Sequence, residues 1–199
     1  MVVNFRNTMF AKLAATLEQC PNDDMPEIVL SGKSNVGKSS LVNGLSDNKK
    51  LARVSQTPGK TQAVVYFNVD KKFYIADLPG YGYARTSKEK IEKFSKLAND
   101  YFISGRKFNL VLHLMDIRHE PSKHDIGMLE YMNEANIPYF VIFTKCDKFS
   151  KQQLRNRLNE LSRELEFNDD AQIFAVSSEK KIGLEDLKNA ITEFLFEQG

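Results

Sequence analysis

Short apolar runs rich in β-branched residues recur along the chain, and amphipathic segments separate most of them. The runs cover residues 28–30, 63–69, 73–76, 110–115, 139–143 and 173–176. Helix starts are marked by capping-box patterns at Thr86 and Ser150, where Glu or Gln follows three positions later. Strands that alternate with helices form βαβ units, so the pattern predicts an α/β fold with a mostly parallel sheet and helices on both faces.

One pair of runs breaks this alternation. VVYFNV and KFYIAD are separated by only Asp70 and Lys71, which is too short for the crossover that parallel strands need. The two runs therefore predict an antiparallel hairpin at one edge of the sheet. Residues 1–25 carry apolar positions interrupted by charges, and we interpret them as an N-terminal helical extension that ends at Pro21. A mitochondrial transit peptide is the less favoured alternative.

Length and composition narrow the class of protein. A chain of 199 residues is expected to form one domain and to bury roughly 70% of its unfolded surface without covalent staples. Two cysteines, Cys20 and Cys146, are too few for a disulfide framework and indicate a reducing compartment, here the cytoplasm. The mean hydropathy of −0.41 and the lack of an apolar run of about 18 residues argue against a membrane span.

The charge is balanced overall but unevenly distributed, with 28 Lys and Arg against 26 Asp and Glu. The commoner interpretation of a basic cluster is a solvated helical face. The alternative is a surface that contacts a phosphate backbone. Two clusters are present, one of Lys49, Lys50, Arg53 and Lys60, the other of Lys88, Lys90, Lys93, Lys96, Arg106 and Lys107.

A polar segment, GKSNVGKS, joins the first predicted strand to the first predicted helix and matches the pattern GxxxxGK(S/T) from Gly32 to Ser39. Its glycines allow successive backbone N–H groups to point at phosphate oxygens, at the positive end of the helix. Lys38 can reach the β- and γ-phosphates, and the Ser39 hydroxyl can bind Mg²⁺. An ordinary glycine-rich turn is disfavoured because both the pattern and its context are present, so we predict a nucleoside polyphosphate as ligand.

Segments at other strand ends indicate which nucleotide binds. The Asp77 carboxylate can hold a water of the Mg²⁺ shell, and the N–H of Gly80 can sense a γ-phosphate. In TKCD, residues 144–147, Asp147 can accept hydrogen bonds from guanine N1–H and from its exocyclic amine, whereas adenine presents an acceptor at N1. The stem of Lys145 can lie over the ring, and backbone N–H groups of residues 176–178 can meet guanine O6. An ATP-using P-loop kinase is disfavoured on these grounds.

These motifs, in this order, resemble those of Ras-like GTPases of the translation-factor class, and specifically of the bacterial EngB (YihA/YsxC) family among the TrmE-Era-EngA-EngB-septin-like GTPases. The matching segments are GKSNVGKSS, TPGKTQ, DLPGYGYA, DIRHEPSKHD, TKCDK and VSSEKKIG, and the resemblance extends over residues 26–196. It implies a P-loop NTPase fold, the Ras-like G domain, over residues 26–199, with a six-stranded mostly parallel sheet and one antiparallel edge strand. It also implies a GTP-gated assembly factor for the 50S ribosomal subunit that is needed for normal septation.

The resemblance assigns contacts with GTP, GDP and Mg²⁺ to particular residues. Ser39 and Thr61 are expected to ligate Mg²⁺, with Asp77 bound through water, and Thr57 rivals Thr61 on chemistry alone. Thr144, in place of the commoner Asn, is expected to weaken a bridge to the phosphate loop more than base recognition. The nucleotide-binding set is Gly32, Lys33, Ser34, Asn35, Val36, Gly37, Lys38, Ser39, Ser40, Gly59, Lys60, Thr61, Gln62, Ala63, Asp77, Leu78, Pro79, Gly80, Thr144, Lys145, Cys146, Asp147, Val176, Ser177 and Ser178.

The catalytic step is assigned to Lys38, Thr61, Gly80 and Asn35. Many Ras-type GTPases carry, after the glycine of DxxG, a glutamine that orients the attacking water, and this chain has Tyr81 there. We therefore expect slow intrinsic hydrolysis. Similar GTPases with Asn in this loop motivate the hypothesis that Asn35 helps to hold a K⁺ ion in place of an arginine finger. A loop residue bonded to its own backbone is an equal alternative.

The remaining candidates receive structural interpretations. We expect His113 to be a satisfied core residue and no transition-metal site to be present. Asp116, Arg118 and His119 match a family signature, for which a structural role beside the nucleotide is expected. The expected partner is the 50S subunit or its precursor, bound by a monomer without a membrane. The alternative function is a guanine-nucleotide switch that binds a protein partner in cell division, with hydrolysis incidental.

Overall fold

The computed structural model describes residues 1–52, 63–81, 88–168 and 171–197, with residues 88–95 described by their backbone. Within these ranges a seven-stranded sheet has the order β1-β3-β4-β2-β5-β6-β7. Its strands are β1 (Thr8–Ala14), β2 (Glu27–Gly32), β3 (Val64–Val69), β4 (Phe73–Asp77), β5 (Leu110–Asp116), β6 (Tyr139–Thr144) and β7 (Gln172–Val176). The helices are α1 (Lys38–Leu45), α2 (Lys88–Ile103), α3 (Lys123–Glu134), α4 (Lys151–Glu164) and α5 (Leu184–Phe196).

The parallel part of the sheet is covered on both faces, as predicted. Strands β4, β2, β5, β6 and β7 run parallel to one another, and every residue of β2 and β6 is buried. Because side chains alternate along a strand, Ile28 and Leu30 pack with α1 and α5, whereas Val29 packs with α2, α3 and α4. Two apolar layers thus hold the central strands, whose carboxyl ends all meet at one edge.

The predicted hairpin is present, but it is not at the edge. β3 and β4 pair antiparallel from Val65↔Asp77 to Val69↔Phe73. β1 then pairs antiparallel with the other side of β3, from Thr8↔Val69 to Ala14↔Val64, with a bulge between Phe10 and Lys12. The sheet therefore has seven strands instead of six and two antiparallel pairings instead of one.

The N-terminal segment is consequently a strand, and the prediction of a helical extension over residues 1–25 was wrong. Of the seven residues of β1 only Thr8 and Ala14 are buried, while Met9, Phe10 and Leu13 are exposed. A strand with two exposed faces lacks the alternation that marks half-buried strands, so its apolar spacing resembles a helix. The unpaired backbone groups along β3 supply the partner that decides the outcome.

One of the two predicted capping boxes can be checked and is confirmed. The backbone N–H of Gln153 donates to Ser150 Oγ at 3.3 Å, and the Ser150 N–H donates to Gln153 Oε1 at 2.9 Å. Thr86 lies outside the described residues. Across the described parts of the chain, no helix has the length and apolar character needed to cross a bilayer.

Candidate guanine-nucleotide site

The predicted motifs lie together at the edge where the parallel strands end. The phosphate loop follows β2, the DLPG segment follows β4, TKCD follows β6 and residues 176–178 follow β7. This edge is the usual ligand-binding edge of an open α/β sheet. Four segments that are distant in sequence are therefore brought to one site.

The phosphate loop passes so close to β5 that it needs glycine at its first position. Gly32 has a φ of 146°, and a Cβ there would lie 2.6 Å from the Leu114 carbonyl oxygen. Gly37, with a φ of 120°, precedes α1, and Asn35 between them has a φ of 63°. These left-handed residues turn the loop around the start of α1, where backbone N–H groups favour anions.

A buried cation and a buried carboxylate face each other beneath this loop. Lys38 Nζ lies 4.0 Å from Asp77 Oδ1 and 3.5 Å from the Gly32 carbonyl oxygen, and Ser39 Oγ donates to Asp77 Oδ2 at 3.4 Å. Burial lowers the pKa of Lys38 and raises the pKa of Asp77, although each charge opposes the shift of the other. Among the residues described, Asp77 Oδ1 has no hydrogen-bond donor.

This arrangement fits a phosphate chain with Mg²⁺. A buried ion pair is stable only when its remaining donors and acceptors are satisfied. The Lys38 ammonium has donors for phosphate oxygens, while the Ser39 hydroxyl and the free Asp77 oxygen suit a hard cation or its water. The predicted roles of these three residues are therefore compatible with their positions.

At the opposite end of the site, Asp147 is held for base recognition. It lies in a short 3₁₀ turn, Cys146–Lys148, and its side chain is 7% exposed. A hydrogen bond with Ser177 and another with Lys148 lower the pKa of Asp147, so the carboxylate is charged and ready to accept. The parallel pairing of Thr144 with Val176 brings the two segments together. Cys146 is buried, which removes its thiol from the site.

The Thr144 hydroxyl links the base segment to the phosphate loop. Its Oγ1 donates to the Val36 carbonyl oxygen at 2.7 Å and lies 3.3 Å from the Met115 carbonyl oxygen. A hydroxyl has one proton to donate, whereas an Asn carboxamide has two. The bridge exists here as one short hydrogen bond, and its strength relative to that of Asn stays a prediction.

Asp116 holds the lysine of the base segment, a role that local pattern did not reveal. Asp116 Oδ2 accepts from Lys145 Nζ at 2.7 Å, and Arg118 donates to both Asp116 oxygens at 2.9 and 2.8 Å. Burial acts to raise the pKa of Asp116, but the hydrogen bonds from Arg118 and Lys145 hold it well below its usual range. Lys145 Nζ also contacts the Asn35 carbonyl oxygen at 3.3 Å. Asp116 thus fixes the ammonium of Lys145, and the aliphatic stem of this lysine is expected to cover the guanine ring.

The other predicted residues divide into three groups. Lys33, Asn35 and Ser40 are exposed, and His119 is 71% exposed with its Nε2 only 4.0 Å from Asp116. A second group is buried or half-buried around the loop: Ala63, Leu78, Pro79, Gly80, Val176 and Ser178. The third group lies outside the described residues and includes both candidate magnesium threonines: Thr57, Gly59, Lys60, Thr61 and Gln62.

His113 is buried in β5, as predicted, but it is not satisfied. Neither ring nitrogen has a hydrogen-bond partner among the residues that the structure describes. Its Nε2 lies 3.8 Å from Asp125 Oδ1. Burial is the main cause that lowers the pKa of His113 to about 4, so the imidazole is neutral at neutral pH.

Known proteins are similar to this chain in sequence and in fold. A family profile described as "50S ribosome-binding GTPase" matches residues 27–145. A probable GTP-binding protein EngB of Lactococcus lactis subsp. cremoris is 38% identical over 195 residues, which cover 98% of this chain and all of the relative. Its counterpart in Lactobacillus helveticus is 40% identical over 94% of this chain and 96% of its own.

Solved structures agree with the sequence comparison. The crystal structure of a probable GTP-binding protein engB has a TM-score of 0.68 and 26% identity, over 86% of this chain and 99% of the other. Aquifex aeolicus Era, bound to GDP and AlF4⁻ in its Y63A form, has a TM-score of 0.64 at 22% identity over 89% and 59% of the two chains, a likeness of fold. With near full-length relatives on one side and a matching phosphate and base site on the other, the chain belongs to the EngB family of GTP-binding proteins.

Proposed function

We propose that the protein hydrolyses GTP to GDP and phosphate, and that its GTP form binds the large ribosomal subunit or its precursor during assembly. The main support for hydrolysis is the buried Lys38–Asp77 pair. Asp77 Oδ1 has no hydrogen-bond donor among the described residues, and this free acceptor beside a buried ammonium fits a triphosphate with Mg²⁺. The description of the matching family as ribosome-binding supports the partner. The proposal includes a role in septation, as an effect of the same activity in the cell.

In this proposal the residues of the chain position the triphosphate for attack by water. The Lys38 ammonium stabilises charge on the β- and γ-phosphate oxygens, and the Gly80 N–H can follow the γ-phosphate. Mg²⁺, held by Ser39 and Thr61 and through water by Asp77, would supply further charge neutralisation. Tyr81 brings a phenol where many relatives of the fold carry an amide, so the attacking water is poorly oriented and intrinsic hydrolysis is slow.

We propose that a potassium ion near Asn35 accelerates this slow hydrolysis. Asn35 is exposed at the rim of the loop, and its carbonyl already faces the Lys145 ammonium. We expect GTP turnover to be at least about tenfold faster in KCl than in NaCl, since a cation in the position of an arginine finger contributes about 10³ to 10⁵. Asn35→Gly, which tolerates the same φ, should abolish the difference. Equal turnover in the two salts would contradict the idea.

The basic clusters are the proposed contact surface for ribosomal RNA. Lys49, Lys50, Lys96 and Lys107 are exposed. Arg106, although part of the sequence cluster, is not available because its side chain is only 21% exposed and its guanidinium pairs with Glu27 at 2.6 Å. The remaining lysines can release counterions on contact with phosphates, which makes binding dependent on salt.

Sedimentation with purified 50S subunits tests the ribosomal role. We expect binding with a non-hydrolysable GTP analogue, little binding with GDP, and at least about a tenfold loss of affinity between 50 and 200 mM salt if several phosphates are contacted. Asp147→Asn is the matched control, because it should fold and yet fail to take up the guanine analogue. Absence of binding with either nucleotide would contradict the ribosomal role and favour a switch that binds a protein partner in cell division. The proposal of GTP binding and hydrolysis would not be affected.

A further inference from the structure

The backbone that follows β4 lies directly against the phosphate loop. The Ser34 N–H donates to the Tyr81 carbonyl oxygen at 2.7 Å, and Lys33 and Tyr81 form an isolated parallel bridge. A Cβ at Gly80 would lie 2.8 Å from Ser34 N and 2.9 Å from Lys38 Nζ. The backbone at Gly80 therefore fills the space next to the Ser34 N–H and the Lys38 ammonium, the two groups that a terminal phosphate would need.

The side chain of Tyr81 anchors this backbone to helix α3. Its hydroxyl donates to Asp125 Oδ1, and its ring stacks on His124 with centroids 5.6 Å apart and planes 25° apart. Burial, followed by the charge of Asp125, raises the pKa of Tyr81, so the phenol keeps the proton that it donates.

The acceptor is itself rigid. Asp125 is 6% exposed, and its Oδ2 accepts from the Ser122 N–H at 2.7 Å and from Ser122 Oγ at 2.6 Å in the capping box of α3. Of the two carboxylate oxygens, one is therefore used by the helix cap and the other by Tyr81. Because His113 is neutral at neutral pH, it does not compete for Asp125 as a cation.

We propose that Tyr81 and Asp125 determine the preference of the protein between guanosine diphosphate and guanosine triphosphate, by holding Gly80 in the position of the terminal phosphate. A diphosphate reaches the N–H groups at the start of α1 without displacing this segment. A triphosphate must break the Tyr81–Asp125 hydrogen bond and the Ser34–Tyr81 hydrogen bond before its last phosphate fits beside Lys38. The cost of opening lowers the affinity for the triphosphate alone. The inference rests on guanine-nucleotide binding and not on the ribosomal role.

Tyr81→Phe tests the proposal by removing the hydroxyl and keeping the ring that stacks on His124. We expect the ratio of dissociation constants, GTP analogue over GDP, to fall by about tenfold, the size typical of one hydrogen bond to a charged group. The measurement is titration with fluorescent GDP and a fluorescent non-hydrolysable GTP analogue in the presence of Mg²⁺. Asp125→Asn, which can still cap α3, should shift the ratio in the same direction by a smaller factor.

Tyr139→Phe is the matched control, since it also removes a tyrosine hydroxyl from a hydrogen bond, here with Asn133 Oδ1 at 2.8 Å and away from the site. Its ratio should equal that of the unmodified protein. An unchanged ratio in Tyr81→Phe overturns the proposal. Equal losses of affinity for both nucleotides also overturn it, because they show general damage to the site.

Discussion

Asp147→Asn is expected to weaken GDP binding by about 10²- to 10⁴-fold and to make xanthosine diphosphate the better ligand. The carboxylate accepts from two guanine donors, N1–H and the exocyclic amine. In the variant one acceptor becomes an NH₂ group that faces the guanine amine, so two donors oppose each other. Xanthine has a carbonyl in place of that amine, and the carboxamide then pairs with both of its groups.

We expect this substitution to leave the fold intact. The Asp147 ion pair with Lys148 involves a lysine that is 45% exposed, and such pairs contribute little to stability. Titration with the two diphosphates, beside a thermal melt, measures both effects. Asp24→Asn, an exposed aspartate before the opposite end of β2, is the control and should change neither affinity. If GDP affinity in Asp147→Asn stayed within twofold of the original, base recognition would have to lie elsewhere.

Arg106→Met is expected to destabilise the protein by about 3 to 5 kcal/mol, the usual cost of leaving a buried carboxylate without its cation. Glu27 is 2% exposed at the start of β2, and Arg106 donates to it from Nη2 at 2.6 Å and from Nε at 3.3 Å. Tyr101 also donates to Glu27 and contacts the Tyr66 hydroxyl at 2.8 Å. The Arg106 guanidinium lies over both tyrosine rings, 5.8 Å from the centroid of Tyr66 and 5.7 Å from that of Tyr101.

Urea unfolding provides the measurement, and three variants separate charge from geometry. Lys107→Met removes a neighbouring exposed cation and should change the free energy of unfolding by less than about 0.5 kcal/mol. Arg106→Lys keeps the charge but loses the two-point contact, so an intermediate loss is expected. Combining Glu27→Gln with Arg106→Met removes the unpaired charge and should recover part of the loss. A change below about 1 kcal/mol for Arg106→Met would contradict a buried charge pair.

Local geometry explains what could be read from the sequence. The phosphate-loop pattern from Gly32 to Ser39 consists of residues that are consecutive in the sequence, so it can be recognised directly. The two-residue connection at Asp70 and Lys71 leaves no room for a crossover. The loop lies between β2 and α1 as predicted, and β3 and β4 form the predicted hairpin, although that hairpin lies inside the sheet and not at its edge. Ser122 and Asp125 also have cap spacing, but nothing local shows that the second oxygen of Asp125 accepts from Tyr81.

The features that sequence did not reveal depend on pairings between distant segments. β1 became a strand because β3, about 50 residues later, offers an unpaired edge. Arg106 and Glu27 are 79 positions apart. Asp116 meets Lys145 because β5 and β6 pair Asp116 with Thr144. Register and sheet order decide these contacts, and one sequence without its relatives contains no direct record of either.

The placement of β1 has a consequence for the order of events during synthesis. Ala14 pairs with Val64, so 50 residues must be added before the partner exists. At about 5 to 20 residues per second, this takes roughly 2.5 to 10 s, during which Met9, Phe10 and Leu13 lie on an unpaired strand. Lys12 places a charge within this apolar stretch, and charges on edge strands discourage pairing with other chains. The first strand to be made therefore waits for the third before it can enter the sheet.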